Sequence, residues 1–279
     1  MNILVPVDFT DNAFNAYQYA NKLAYQFDAD LTLLHVFEGT FDVISAREVN
    51  RGRGKYTELQ NRLKSFSHLH PNQNSNVLAP VKTHCEVVQG DILNEIAGFA
   101  KELEVDIIVA GTRDKHDLSD KWLGTVSQGI AQEAQCPVLL VPNGSTFRGY
   151  ERMVVATDYH ASNFMVLDRI LTFNKPFGAS LHFLHVGSVK DQRFEGLKDE
   201  IFDYMMSYGE PNHVFELEKQ VGTDVVKALF EYTEKKSADL LVMISSRRDF
   251  LRRMINTSMT RRVVLQSPLP VLVVHANNK

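Results

Sequence analysis

Two cysteines in 279 residues, Cys85 and Cys136, are too few for a disulfide framework, and they form no C-x-x-C pair. A reducing compartment fits that usage. Apolar residues make up 44 % of the chain, yet no run of them approaches the ~20 residues a membrane-spanning helix needs. The N-terminus shows no basic stretch followed by a signal-type apolar segment, so a cytoplasmic protein is expected. Positive charge is in short supply as well: 30 Lys and Arg against 34 Asp and Glu leave a net charge of −4. That balance argues against a general polyanion binder, and neither nucleic acid nor a membrane is an expected partner. No Ser-His-Asp order, Walker A loop or spaced carboxylate pair points to hydrolysis.

What the chain does have is repetition. Residues 2–8, NILVPVD, return as 152–158, RMVVATD, and residues 29–36, ADLTLLHV, return as 179–186, ASLHFLHV, both 150 positions later. DIIVAGTR at 106–113 matches DLLVMISS at 239–246, and CPVLLVP at 136–142 matches LPVLVVH at 269–275, both at an offset of 133. The period is too long for a solenoid, so one unit is written twice, the first copy longer in its middle. Chemistry kept in one copy and erased in the other can then be read off directly.

Each copy alternates short apolar runs with helical patterns. Ile3–Val7 reads as a strand covered on both faces, and Thr10 or Asp11 can cap the helix that follows. Ala13, Ala16, Tyr17, Ala20, Leu23, Ala24 and Phe27 recur at helical spacing. Further strands are expected at Leu31–Phe37, Val81–Val88, Ile107–Ala110 and Val138–Val141, with helices over 44–67, Ile92–Leu103 and about Gly124–Gln135. The second copy should place strands near 152–157, 181–186, 213–218, 239–244 and 271–275. Residues 142–150 carry Pro and two Gly and read as the linker. Parallel strands need crossovers, so alternation implies an α/β fold: two Rossmann-like three-layer α/β/α domains, 1–143 and 150–279, each with a parallel five-stranded sheet. Each copy ends on an apolar strand, a natural edge for packing the two as a pseudo-two-fold dimer, and a homodimer could use remaining edges.

In such a sheet ligands sit beyond the C-terminal strand ends, where strand order reverses. In copy one those ends deliver Pro6, Val7, Asp8, His35, Val36, Ala110 and Gly111, and Gly124-Thr125 opens the last helix. A helix N-terminus suits phosphate, Asp8 could accept from a ribose hydroxyl, and Val36 could offer backbone groups and an apolar wall to a base. These residues, with ILVPVDFT, LLHV, GDILNEI, DIIVAGTR and GTVSQGIAQEAQCPVLLVP, make the chain resemble the universal stress protein family, once per copy. The resemblance implies a stress-response regulatory module binding ATP, AMP or ADP. Pro6, Val7, Asp8 and Val36 would hold adenosine, and Ala110, Gly111, Gly124, Thr125 and Val126 would surround the phosphates. The family's ATP-binding loop reads G-x2-G-x9-G-[ST]; Gly111 and Gly124-Thr125 match it, while Asp114 stands at the middle glycine. A carboxylate there costs on the order of 1 kcal/mol beside a solvated phosphate, unless Arg113, Lys115, Lys121 or a Mg²⁺ ion offsets it.

Copy two keeps Asp158 and His185-Val186 but has Ile244 for Gly111, about Arg247 for Asp114 and Asn256-Thr257 for Gly124-Thr125. With no glycine for close backbone approach, it reads as a structural or interaction half. His35 and His185 suit hydrogen bonding to a neighbouring loop better than catalysis. His68 and His70 have no ligand partners nearby and read as loop residues. Arg247, Arg248, Arg252, Arg253, Arg261 and Arg262 lack interleaved aromatics and read as a solvated basic face. Two other functions remain open: a stress protein without nucleotide that works through a regulatory protein partner, and a nucleotide hydrolase or adenylating enzyme. With no general base in view, any ATP hydrolysis should be slow or absent.

Overall fold

The computed structural model describes residues 1–38, 46–69, 81–112, 125–157, 164–189, 193–207, 214–246, 263 and 266–276; for 46–53 and 125 only the backbone is described, as for 245, 246 and 276. The chain divides into two compact units, with the boundary in sequence between Phe147 and Arg148. Gly144 and Gly149, either side of it, take positive φ of 74° and 90°, which side-chain-bearing residues rarely adopt.

The first unit runs β1 (Asn2–Pro6), α1 (Asp11–Phe27), β2 (Asp30–Phe37), α2 (Ala46–Ser67), β3 (Thr83–Gln89), α3 (Ile92–Glu102), β4 (Ile107–Thr112), α4 (Thr125–Glu133) and β5 (Val138–Pro142). Its strands are parallel, in the order β3-β2-β1-β4-β5. The chain winds outward through β2 and β3, then returns to the other side of β1 for β4 and β5. Strand order therefore reverses between β1 and β4.

Local sequence explains the helix boundaries. Thr10 sits in extended backbone, and its hydroxyl accepts from Ala13 N at 3.3 Å, satisfying a free N–H of the first turn of α1. Asp28 closes that helix in the left-handed region, φ 48°. Asp91 caps α3 in the same way, accepting from Asn94 N at 3.0 Å. The face Ala13, Ala16, Tyr17, Ala20, Leu23 and Ala24 is buried on the sheet. The small residues let α1 lie close to the strands. Tyr17 donates to Ser67 O at 2.7 Å and Phe14 meets Phe66, so α2 packs beside α1, while Gly129 of α4 lies against Leu93 of α3. β1 lies between neighbours on both edges, and Ile3, Leu4 and Val5 are almost wholly buried. Burial of each such side chain contributes about 1.5–3 kcal/mol, and Leu4→Ala should cost about 2–5 kcal/mol.

The second unit repeats the pattern as β6 (Arg152–Thr157), α5 (Phe164–Asn174), β7 (Ser180–Gly187), α6 (Arg193–Ser207), β8 (Phe215–Val221), α7 (Val225–Lys235), β9 (Leu240–Ser246) and β10 (Val271–Ala276). Its order, β10-β9-β6-β7-β8, again reverses beside the first strand, between β6 and β9. Expected strand starts hold to within a residue except at β3, which starts at Thr83 rather than Val81, and at β8, which starts at Phe215 rather than 213 and runs on to Val221. Its pairing with β7 continues to Gly187↔Val221, past the apolar residues that suggested the strand. As an edge strand it can carry Glu216, Glu218 and Lys219, because only one side of its backbone is paired. Among the described residues no helix is long and apolar enough to cross a membrane.

Candidate functional site

The switch between β1 and β4 brings the strand-end residues of copy one together. Val7 makes the last backbone contact of β1 with β2, its N–H donating to Leu34 O at 2.8 Å. In a parallel ladder alternate residues face alternate neighbours, so Val36 has the parity of Leu34 and turns its N–H and C=O toward β1. It lies one step beyond that last contact, and no bond from Val36 to Val7 forms. The Val7 carbonyl is met instead by His35 Nδ1 at 2.7 Å. Among the described residues the Val36 N–H and C=O thus have no partner on β1, and such a donor–acceptor pair is what a base edge requires.

Asp8 follows directly. Its Oδ1 accepts from Thr10 N at 3.0 Å and from Thr10 Oγ1 at 2.5 Å, an Asx turn that holds the capping threonine. Oδ2 makes no bond among the described residues, and Asp8 is exposed. The carboxylate therefore has a turn role and a spare acceptor at once. Phe9 takes φ 63°, a strained left-handed conformation for a residue with a side chain, costing about 1 kcal/mol or more. Ring packing offsets this: Phe9 lies 4.5 Å from His35 and 5.9 Å from Phe66, between centroids, with the Arg62 guanidinium 4.1 Å from its own centroid. His35 is held below its usual pKa first by burial, with Arg62 and Lys55 adding to the effect; the bond to Val7 O and the Asp8 charge oppose it.

On the β4 side, Ala110 is buried and Gly111 lies against the first turn of α1. A Cβ on Gly111 would collide with the Asn12 carbonyl, coming within 2.8 Å of its carbon. The glycine is needed for helix–strand contact as well as for an open strand end. The Asn12 side-chain oxygen is buried there and has no hydrogen-bond partner among the described residues. Ser127 Oγ donates to Gly111 O at 2.7 Å, tying the first turn of α4 to the end of β4. α4 begins at Thr125, and Val126 is exposed. Asp114 and Gly124 lie outside the described residues, as does the Thr125 side chain. So do His70, Asp158, Asn256, Thr257 and the arginines Arg247, Arg248, Arg252, Arg253, Arg261 and Arg262.

The structure thus brings Pro6, Val7, Asp8, Val36, Ala110 and Gly111 to the adjoining ends of β1, β2 and β4, with the start of α4 tied to them. An adenine nucleotide fits the donor set: the open Val36 backbone for a base, Asp8 Oδ2 for a ribose hydroxyl, and the N–H groups of α4 for phosphate. Phe9, Asn12, Arg62 and Ser127 were not singled out from sequence. Phe9 stands inside the VPVDF run and could have been; Arg62 is 54 positions from Asp8, with no sequence signal linking them.

The second unit keeps the imidazole contact but not the glycine. His185 Nδ1 lies 3.0 Å from Thr157 O, as His35 does from Val7 O, and Phe194 packs 5.8 Å from it between centroids. Ile244, where copy one has Gly111, is buried. Elsewhere the Cys85 thiol is pushed above its usual pKa, chiefly by burial, and so stays protonated. No group of three or more His, Cys, Asp or Glu suited to a metal ion occurs among the described residues.

Two doubly wound α/β units in series, with matching strand order and with Gly111 in one where the other has Ile244, define a tandem of one domain. The model of the Universal stress protein family matches residues 1–142 and again 149–275, and the chain belongs to that family in tandem form. A universal stress protein of Methanocaldococcus jannaschii is 28 % identical over 149 residues, covering 50 % of this chain and 80 % of that protein. Universal stress protein YxiE of Bacillus subtilis is 31 % identical over 146 residues, covering 50 % and 97 %. The crystal structure of a universal stress protein from Archaeoglobus fulgidus superposes with a TM-score of 0.75, covering 99 % of this chain and 98 % of that one at 19 % identity. At that identity the likeness is one of fold.

Proposed function

We propose that the first domain, residues 1–143, binds an adenine nucleotide, ATP or AMP, and that the protein is a cytoplasmic regulatory module of the stress response reporting nucleotide state to a protein partner. The observation that carries this reading is the unpaired Val36 backbone edge beside Asp8 Oδ2, at the reversal of strand order. Base and ribose would lie over β1 and β2, with phosphates toward Gly111 and the first turn of α4. The second domain, 150–279, is assigned no nucleotide, since Ile244 fills the place of the glycine. The reading does not extend to Mg²⁺, and any ATP hydrolysis should be slow.

Calorimetric titration with ATP and with AMP tests it. About one site per chain is expected; no heat up to millimolar nucleotide would sink the reading, and two equivalent sites would overturn the assignment of the second domain.

A further inference from the structure

Two cations of α2 lie over the rings that follow Asp8 and Val36 in sequence. Arg62 lies 4.1 Å from the centroid of Phe9, the residue after Asp8, and Lys55 lies 5.1 Å from that of Phe37, the residue after Val36. Both are exposed, and neither is paired with a carboxylate among the described residues. The Phe9 ring that Arg62 covers lies 4.5 Å from the His35 imidazole, between centroids. The cations contact Phe9 and Phe37 through the ring faces, and the N–H edge of the Arg62 guanidinium can still meet an anion.

Carboxylate and guanidinium ask for different ligand groups. Asp8 Oδ2 takes a hydroxyl proton and repels phosphate, whereas an arginine presents paired N–H donors that match a phosphate's oxygens. In this class of fold an acid reads a free ribose hydroxyl or, in its place, a nearby arginine accommodates a phosphate. Here the two stand on either side of one residue, so a ribose with one free and one phosphorylated hydroxyl could satisfy both. We infer that Arg62, supported by Lys55, makes the first domain prefer an adenine nucleotide bearing a second phosphate on its ribose. This rests on the nucleotide reading above and goes beyond it by naming the ligand's second anionic group. Contact with Phe9 keeps the guanidinium beside the crevice before ligand arrives, reducing the side-chain entropy lost on binding.

The test is calorimetric titration of the full chain with AMP, adenosine 3′,5′-bisphosphate and adenosine 2′,5′-bisphosphate at fixed ionic strength. In the wild type one bisphosphate should bind about tenfold more tightly than AMP, the scale of one charge-assisted bidentate contact. Arg62→Gln should bring that ratio to about one, and Arg62→Lys should retain part of it. Lys64→Gln, on the same helix, should leave the ratio as in the wild type. Circular dichroism melts confirm that each variant is folded. Equal affinity for AMP and both bisphosphates in the wild type overturns the inference and leaves the nucleotide reading standing, as does a ratio that survives Arg62→Gln. Binding of none of the three, with ATP also silent, overturns both.

Discussion

His35 Nδ1 stands 2.7 Å from the carbonyl oxygen of Val7, and the same contact recurs in the second unit between His185 Nδ1 and Thr157 O at 3.0 Å. In each unit the imidazole takes the carbonyl that a continued ladder would have offered to the next residue of β2 or β7. In the first unit β1 can then stop at Pro6 while β2 runs on to Phe37. As a donor to a carbonyl, His35 needs a proton on Nδ1 but no positive charge.

A pH dependence follows from the folded pKa of His35 lying below its usual value of 6.5. The unfolded chain binds the proton more readily than the native one, so stability is complete above about pH 6.5 and falls as pH drops through the folded value. Urea denaturation between pH 8 and 5 should show this loss. His35→Asn should flatten that part of the profile while costing about 1 kcal/mol at pH 8 through the weakened bond. An unchanged slope would show that His35 is not the titrating group.

Gly111→Ala should destabilise the first unit by about 1–3 kcal/mol, because the new methyl meets backbone of α1 and not a movable side chain. Chemical denaturation without ligand is the relevant measurement. A variant as stable as the wild type that binds nucleotide poorly would assign the glycine to the ligand alone.

Asp8 has two roles that two substitutions separate. Asp8→Asn keeps an acceptor for Thr10 and removes the charge, so the melting temperature should hold while ATP affinity falls about tenfold. Asp8→Ala removes the turn as well and should cost about 1 kcal/mol of stability. Equal melting temperatures for the two variants would rule out the structural role.

Lys236 Nζ lies 2.7 Å from both Glu216 Oε2 and Glu218 Oε1, fastening the end of α7 to the edge strand β8. The lysine bonds hold both carboxyls below their usual pKa. The acids are 46 % and 40 % exposed, so solvent screens the pairs, and Lys236→Met should cost only about 1 kcal/mol at pH 7. Lowered carboxylate pKa values give stability above about pH 4.5 that is lost as pH falls through the folded values. The gap between variant and wild type, read from urea melts, should therefore close toward pH 3; a gap that persists would point to lost packing on Tyr232.

The alternation of apolar runs with capped, periodic segments made the parallel α/β architecture legible, because strand burial and helix amphipathicity are local properties of spacing. Thr10, Asp91 and the buried face of α1 stand as such spacing implies. The strand-end residues Pro6, Val7, Asp8, Val36 and Gly111 were legible too, since in a doubly wound sheet chain order alone says which strand ends meet. β3 and β8 each start about two residues later than spacing implies, because an edge strand need not be apolar.

The sequence by itself determined the duplication, the family and the asymmetry between Gly111 and Ile244, all of which depend on residue identity at matched positions. Only the tertiary structure decided that Gly111 is held clear by the Asn12 carbonyl, that the Val36 backbone is left open, and that Arg62 comes to rest over Phe9. Those facts depend on contacts between residues far apart in the chain. Such contacts are set by how helices settle on the sheet, which no local spacing records.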